Sequence, residues 1–168
     1  LNGTGAWEGK LFMITHQGPG LTQIFSADVS GALPATATLE TTFAGDTNNY
    51  QVCGGMAADD RYFYTTCRKG PAGSPYKILR IDRVTHERTE LGTANDHETM
   101  GSPIRVADTN GDGLADFLYQ KGSSENVRYV CSPTTTPYVD ELVRYGDSTG
   151  NGLGYDPVNN VVWAFDDD

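Results

Sequence analysis

Between positions 108 and 116 the chain sets oxygen-bearing side chains at alternating places in a glycine-broken run. The run is Asp108-Thr109-Asn110-Gly111-Asp112-Gly113-Leu114-Ala115-Asp116, or D-x-N-x-D-G-x-x-D. Calcium takes roughly six to eight hard oxygen ligands in flexible geometry, and short side chains on a tightly curled loop supply them at small entropic cost. The expected ligands are the side chains of Asp108, Asn110 and Asp112, the main-chain carbonyl of Leu114, and the closing carboxylate of Asp116. Gly111 and Gly113 permit the positive φ that such a curl demands, and Asn110 tolerates it. An EF-hand would need its closing glutamate at the twelfth position, where Tyr119 stands, and a helix on either side. The run therefore reads as a calcium loop between strands. The alternative is an empty turn, because Asp, Asn and Gly favour turns in any case.

Other chemical candidates are weaker. Asp147-Ser148-Thr149-Gly150-Asn151-Gly152-Leu153 repeats the alternation, but Tyr155 stands where the closing carboxylate belongs, so a plain turn is expected there. The tail Asp166-Asp167-Asp168 reads as a solvated charge run. None of His16, His86 and His97 lies in a metal-spaced pair. His97 stands between Asp96 and Glu98, where acid–base chemistry is conceivable, yet an exposed polar stretch explains it as well. The adjacent carboxylates Asp59 and Asp60 should face different ways if they leave a strand together. No G-x-S-x-G elbow and no glycine-rich phosphate cradle occurs, and no residue is assigned a catalytic role.

The elements that must hold these residues are strands. No window of helical periodicity is free of Gly, Pro or Thr runs, whereas eleven short β-branched or aromatic stretches stand between turn residues. They are 10–15, 21–27, 37–43, 61–66, 76–82, 88–91, 103–107, 116–120, 127–131, 138–143 and 160–165. A pattern of small apolar strand, acidic turn and aromatic strand recurs. It appears at Gly55 to Tyr64, at Ile104 to Asp108 with Asp116 to Tyr119, and at Gly152 to Pro157 with Val161 to Phe165. Its aspartates, Asp59, Asp108 and Asp156, are 49 and 48 residues apart, and a weaker copy around Trp7-Glu8 lies one period earlier. Four strands in roughly 40 to 50 residues make the unit of a β-propeller blade, and a sandwich does not repeat at a fixed period. The expectation is an all-β propeller of four-stranded antiparallel blades in one domain. Its repeats fall at about 5–51, 52–100, 101–148 and an incomplete 149–168, about three and a half in all.

The loop resembles the calcium loop of FG-GAP/VCBS-type propeller repeats, as in integrin α-subunit propellers and fungal propeller lectins. In that family the loop joins the first two strands of a blade, where the repeat places it here. The resemblance spans residues 104–120 in one repeat and implies calcium on Asp108, Asn110, Asp112, Leu114 through its carbonyl, and Asp116. The turns at Asp59-Asp60 and Asp156-Pro157 are too short for a metal, and the Phe-Gly-x-Gly-Ala-Pro signature is absent. Six-bladed propeller lactonases and esterases share the fold class. They hold a central calcium on single residues from several blades, a different kind of site, so the contiguous loop points to scaffold over catalyst.

Charge and cysteines set the partners. Twelve Lys and Arg against 22 Asp and Glu give a net charge of −10, which disfavours phosphate backbones and anionic membranes. No apolar run is long enough for a membrane helix. Cys53 and Cys67 flank an apparent hairpin and could pair across it, leaving Cys131 over, or all three could be buried thiols. The start at Leu1, the sequon Asn2-Gly3-Thr4 and calcium use together suggest a secreted, glycosylated protein. The expected function is lectin-like binding of carbohydrate, or of an extracellular protein, with aromatic residues such as Tyr50, Tyr62, Tyr76, Tyr138 and Tyr155 available for stacking. Trp7 and Trp163 are expected in the packing between blades. The alternative is a calcium-dependent propeller hydrolase. An incomplete last repeat implies a homo-oligomer or a partner chain completing the ring.

Overall fold

A computed structural model describes residues 3–17, 21–31, 33–44, 50–70, 74, 76–94, 104–121, 126–131, 133–134, 139–145, 153–156, 158–159 and 161–164. Among them there are fourteen strands and no helix. The first sheet is β1 (Gly3–Trp7), β2 (Lys10–Gln17), β3 (Leu21–Asp28) and β4 (Thr38–Ala44). The second is β5 (Tyr50–Ala58), β6 (Tyr62–Lys69), β7 (Tyr76–Asp82) and β8 (Arg88–Ala94). The third is β9 (Ile104–Ala107), β10 (Phe117–Lys121), β11 (Asn126–Cys131) and β12 (Val139–Tyr145). A two-stranded hairpin of β13 (Leu153–Asp156) and β14 (Val161–Ala164) follows. Each four-stranded sheet is an antiparallel meander with its strands in sequence order.

The sheets are related in a way that a sandwich is not. β1 packs against β5, β5 against β9, and β9 against β13, so the first strands of successive sheets are mutual neighbours. In each four-stranded sheet the pairing of third and fourth strands slips by a residue, between Ile24 and Phe25, Ile78 and Leu79, and Val127 and Arg128. Such bulges add local twist, which lets a narrow inner edge open into a wider outer one. The fourth sheet has two strands, and the described residues do not close a ring.

The second sheet is packed on both faces, as the alternation of side chains along β6 requires. Tyr62 and Tyr64 face the third sheet in a cluster with Ala57, Val106, Ala115 and Leu118. Phe63 and Cys67 face the first sheet in a cluster with Phe12, Ile14, Ile24 and Met56. The Phe12 and Phe63 rings meet edge to face at 5.4 Å between centroids. Trp7, at the end of a first strand, packs against both clusters, as expected. Trp163, on a second strand, does not follow it and is 57% exposed. No described strand beyond β14 is present to cover it.

β1, β5 and β13 are absent from the eleven strands read in the sequence. These innermost strands are rich in glycine, at Gly3, Gly5, Gly54, Gly55 and Gly154. Low side-chain bulk suits a crowded inner edge but erases the β-branched signal by which strands are recognised. Cys53 and Cys67 are partners in the β5–β6 ladder and form a disulfide, settling the choice the sequence left open.

Candidate functional site

The nine-residue run connects β9 to β10, the first two strands of the third sheet. The Asp116 N–H donates to the Ala107 carbonyl at 2.8 Å and closes the base of the loop. Gly111 and Gly113 have φ of 79° and 84°, the left-handed conformation that the curl demands of them. Inside the loop the acidic side chains take up backbone amides. Asp108 accepts the N–H of Gly111 at 2.7 Å on Oδ1 and that of Gly113 at 2.9 Å on Oδ2. Asn110 Oδ1 accepts the Asp112 N–H at 2.8 Å, and Asp112 Oδ1 accepts the Leu114 N–H at 2.9 Å. Asp116 accepts the N–H and hydroxyl of Thr109 on Oδ2, at 2.8 and 2.6 Å, and the Asn110 amide on Oδ1 at 3.1 Å.

All five sequence-selected residues therefore lie in one curled loop. Among the described residues, however, no three His, Cys, Asp or Glu side chains converge as a metal-holding group. The donor chemistry fits a hard cation, since Asp108 Oδ1 and Oδ2 and Asp112 Oδ1 each keep an acceptor position beside the amide described, whereas Asp116 Oδ2 already takes two donors from Thr109. The side-chain arrangement is that of a self-capped loop, and ligation requires the carboxylates to turn toward a common point.

The loop is seated on the turn between β5 and β6. The Asp60 N–H donates to the Gly113 carbonyl at 2.9 Å. A Cβ at Gly113 would run into the Asp60 carboxylate, so glycine is required there for contact as well as conformation. Beside it, Asp59 is 0% exposed. Its Oδ1 accepts the N–H groups of Arg61 and Tyr62 at 2.8 and 2.6 Å. Its Oδ2 accepts the Tyr64 hydroxyl at 2.7 Å and the Ala115 N–H at 3.0 Å. Burial, and then the Asp59 carboxylate that it faces, push the Tyr64 hydroxyl far above the usual tyrosine range. Asp60 turns the other way, accepting the Trp7 indole N–H at 2.7 Å. The Arg83 guanidinium donates to the carbonyls of Asp59 and Asp60, at 2.7 and 3.2 Å. It also lies about 5 Å from the Phe12 and Phe63 ring centres.

The repeat aspartates thus do three jobs from one position. Asp59 ties two sheets together, and Asp108 curls a long loop. Asp156 caps an exposed turn by accepting the N–H groups of Val158 and Asn159 at 2.9 and 3.2 Å. The Asn159 side chain, also bonded to Asp156, leads in holding that carboxyl below its ordinary range. The second acidic run at 147–152, the triple-Asp tail, His97 with its neighbours, and Tyr138 lie outside the described residues. Tyr62 and Tyr76 are 8% and 7% exposed, in the core and away from any ligand surface. The sequence missed the anchoring role of Asp59; its place one repeat before Asp108 was the available signal.

No family model and no curated protein matches this chain. Among solved structures it is similar to a chain in the crystal structure of a nidogen/laminin complex, with a TM-score of 0.55 and 19% identity. The match covers 90% of this chain and 51% of that one, so this chain spans about half the length of its structural neighbour. At that identity the likeness is one of fold, and with the sheet arrangement it makes this an all-β, β-propeller-like chain.

Proposed function

We propose that the chain is a secreted propeller binding module stabilised by calcium in one repeat, through a loop of the FG-GAP/VCBS kind. The observation that carries this reading is the D-x-N-x-D-G-x-x-D loop at the first turn of a propeller-like sheet, with positive φ at both glycines. Calcium would be held by Asp108, Asn110, Asp112, the Leu114 carbonyl and Asp116. Its contribution would be to offset the repulsion of three carboxylates within nine residues and to fix the loop. A role in scaffolding suits a loop already bonded to Asp59 and Asp60. Secretion is supported by the Cys53–Cys67 disulfide, since such bonds persist in oxidising compartments.

A protein partner is the first ligand class to test, because the structural neighbour comes from a complex between two proteins. Lectin-like recognition of carbohydrate is the second, favoured by the exposed indole of Trp163. The test is binding to a panel of extracellular proteins and to a glycan array, each in calcium and in chelator. A ligand lost in chelator supports the module. No ligand in either panel contradicts it, and turnover of lactone or ester substrates would favour a propeller hydrolase.

A further inference from the structure

The Cys53–Cys67 disulfide lies out of reach of solvent. Both residues are 0% exposed, and as partners in the β5–β6 ladder they send their side chains to one face of the second sheet. That face is turned to the first sheet, where Phe12 and Ile14 of β2 and Ile24 of β3 share a cluster with the two cysteines. β1, β2 and β3 all pack against β5, and the Thr22 hydroxyl, on β3, donates to Cys53 Sγ at 3.8 Å. The other face of the second sheet has a separate cluster, to which Leu118 of the third sheet belongs. Exchange of a disulfide needs a thiolate in contact with a sulfur, so this cover blocks the reaction whatever its driving force. No ladder joins the first sheet to the second among the described residues. Parting the two therefore breaks mainly side-chain packing, whereas unravelling β5 or β6 also breaks backbone ladders, and the first route costs less.

We propose that Cys53–Cys67 is a redox site latched by the first sheet: a dithiol reductant reaches it only when β1 to β4 lift from β5 to β8. In the opened state a thiolate of the reductant attacks one sulfur, the S–S bond breaks, and the other cysteine leaves as a thiolate that takes a proton from water. The second thiol of the reductant gives up its proton and displaces the protein sulfur from the mixed disulfide. The net step moves two electrons and two protons from the dithiol to the cystine, leaving two cysteine thiols and the reductant as its own disulfide. The covalent tie between β5 and β6 is then gone. The site thus responds to reductant only in molecules whose first sheet has lifted, and it involves neither the acidic loop nor calcium.

Full-length protein is held in excess dithiothreitol, natively and in urea, and samples are alkylated and digested so that mass spectrometry follows Cys53 and Cys67 apart from Cys131. Native reduction of the parent chain is expected to be slower than in urea by about a hundredfold or more. Phe12→Ala, which thins the cover, should speed native reduction by about tenfold or more. Ile24→Val is a milder truncation of the same cover, serves where Phe12→Ala does not fold, and should speed it by about threefold. Leu118→Ala opens a cavity on the other side of the second sheet and should change the native rate by less than about twofold, although it lowers the urea midpoint. A parent chain reduced as fast natively as in urea would overturn the proposal. So would a Leu118→Ala variant whose native reduction speeds up as much, for its loss of stability, as that of Ile24→Val, because the disulfide would then open only when the whole chain unfolds.

Discussion

The buried carboxylate of Asp59 accepts the backbone N–H of Ala115 at 3.0 Å, joining the first turn of the second sheet to the acidic loop of the third. Asp59 and Ala115 are 56 residues apart, so neither sheet makes this bond alone. It explains why a loop of nine mostly polar and small residues has one fixed seat: its underside, at Ala115, is part of the core between two sheets.

Asp59→Ala removes the acceptor for three N–H groups and the Tyr64 hydroxyl; the bonds from Tyr62, Tyr64 and Ala115 are buried and that from Arg61 is half-buried. Stranding buried donors costs about 1–3 kcal/mol each before relaxation, and a total loss of roughly 3–5 kcal/mol is expected. Asp156→Ala, at the equivalent but exposed turn, should cost far less, because water replaces the lost acceptor. Urea denaturation midpoints check both, and equal losses would refute the distinction.

Gly113 and Gly111 separate conformation from contact. Both have positive φ, so alanine at either costs about 1–2 kcal/mol in backbone strain. Only at Gly113 does the added carbon also strike Asp60. Gly113→Ala is therefore expected to be the more destabilising, and adding Asp60→Ala should recover part of that excess but none of the loss in Gly111→Ala. A thermal double-mutant cycle measures the coupling. Additive effects would mean that the loop does not rest on Asp60.

Closing a loop of 14 residues' separation, the Cys53–Cys67 bond should contribute about 3 kcal/mol through the entropy of the unfolded chain. Cys53→Ala with Cys67→Ala is expected to lower the melting temperature, and reducing agent should then have no further effect. A melting temperature that reducing agent leaves unchanged in the parent protein would contradict this.

Acid should weaken the second sheet through Asp82. The Thr85 and Val84 N–H groups, followed by the Arg61 guanidinium, hold its carboxyl at about 2 against an ordinary value of 3.8. A depressed folded-state value means stability that is present above the unfolded value and lost as pH falls through the folded one. Denaturant midpoints should thus fall between about pH 4 and pH 2, and Asp82→Ala should flatten that part of the profile. An unchanged slope in the variant would place the acid sensitivity elsewhere.

The repeat and the loop were legible because each is local. Residues such as Tyr62 to Tyr64 and Ile78 to Ile81 carry the strand signal in themselves, and alternation from Asp108 to Asp116 needs no tertiary context. The inner strands were legible only as small apolar stretches of the repeat, since Gly54 and Gly55 in β5 carry no β-branched or aromatic signal. The Asp59 anchor was not legible, because its partner Ala115 is chosen by how two sheets stack. Trp7 ends the first strand of the first sheet and Trp163 lies on the second strand of the fourth, so the packing expected of both holds only for Trp7, which is half-buried against a neighbouring sheet while Trp163 is exposed.

The proposal that the 108–116 loop binds calcium is tested most directly by melting the chain and its Asp112→Ala variant in calcium and in chelator. Asp112 is exposed, and the bond described for its side chain is the one from the Leu114 N–H, so its loss alone should cost under about 1 kcal/mol. A bound ion adds stability that grows with the ratio of its concentration to Kd. Calcium should therefore raise the melting temperature of the parent chain and not of the variant, with the two nearly matched in chelator. A parent chain that melts at the same temperature with and without calcium, or a variant destabilised equally in both, would contradict the account.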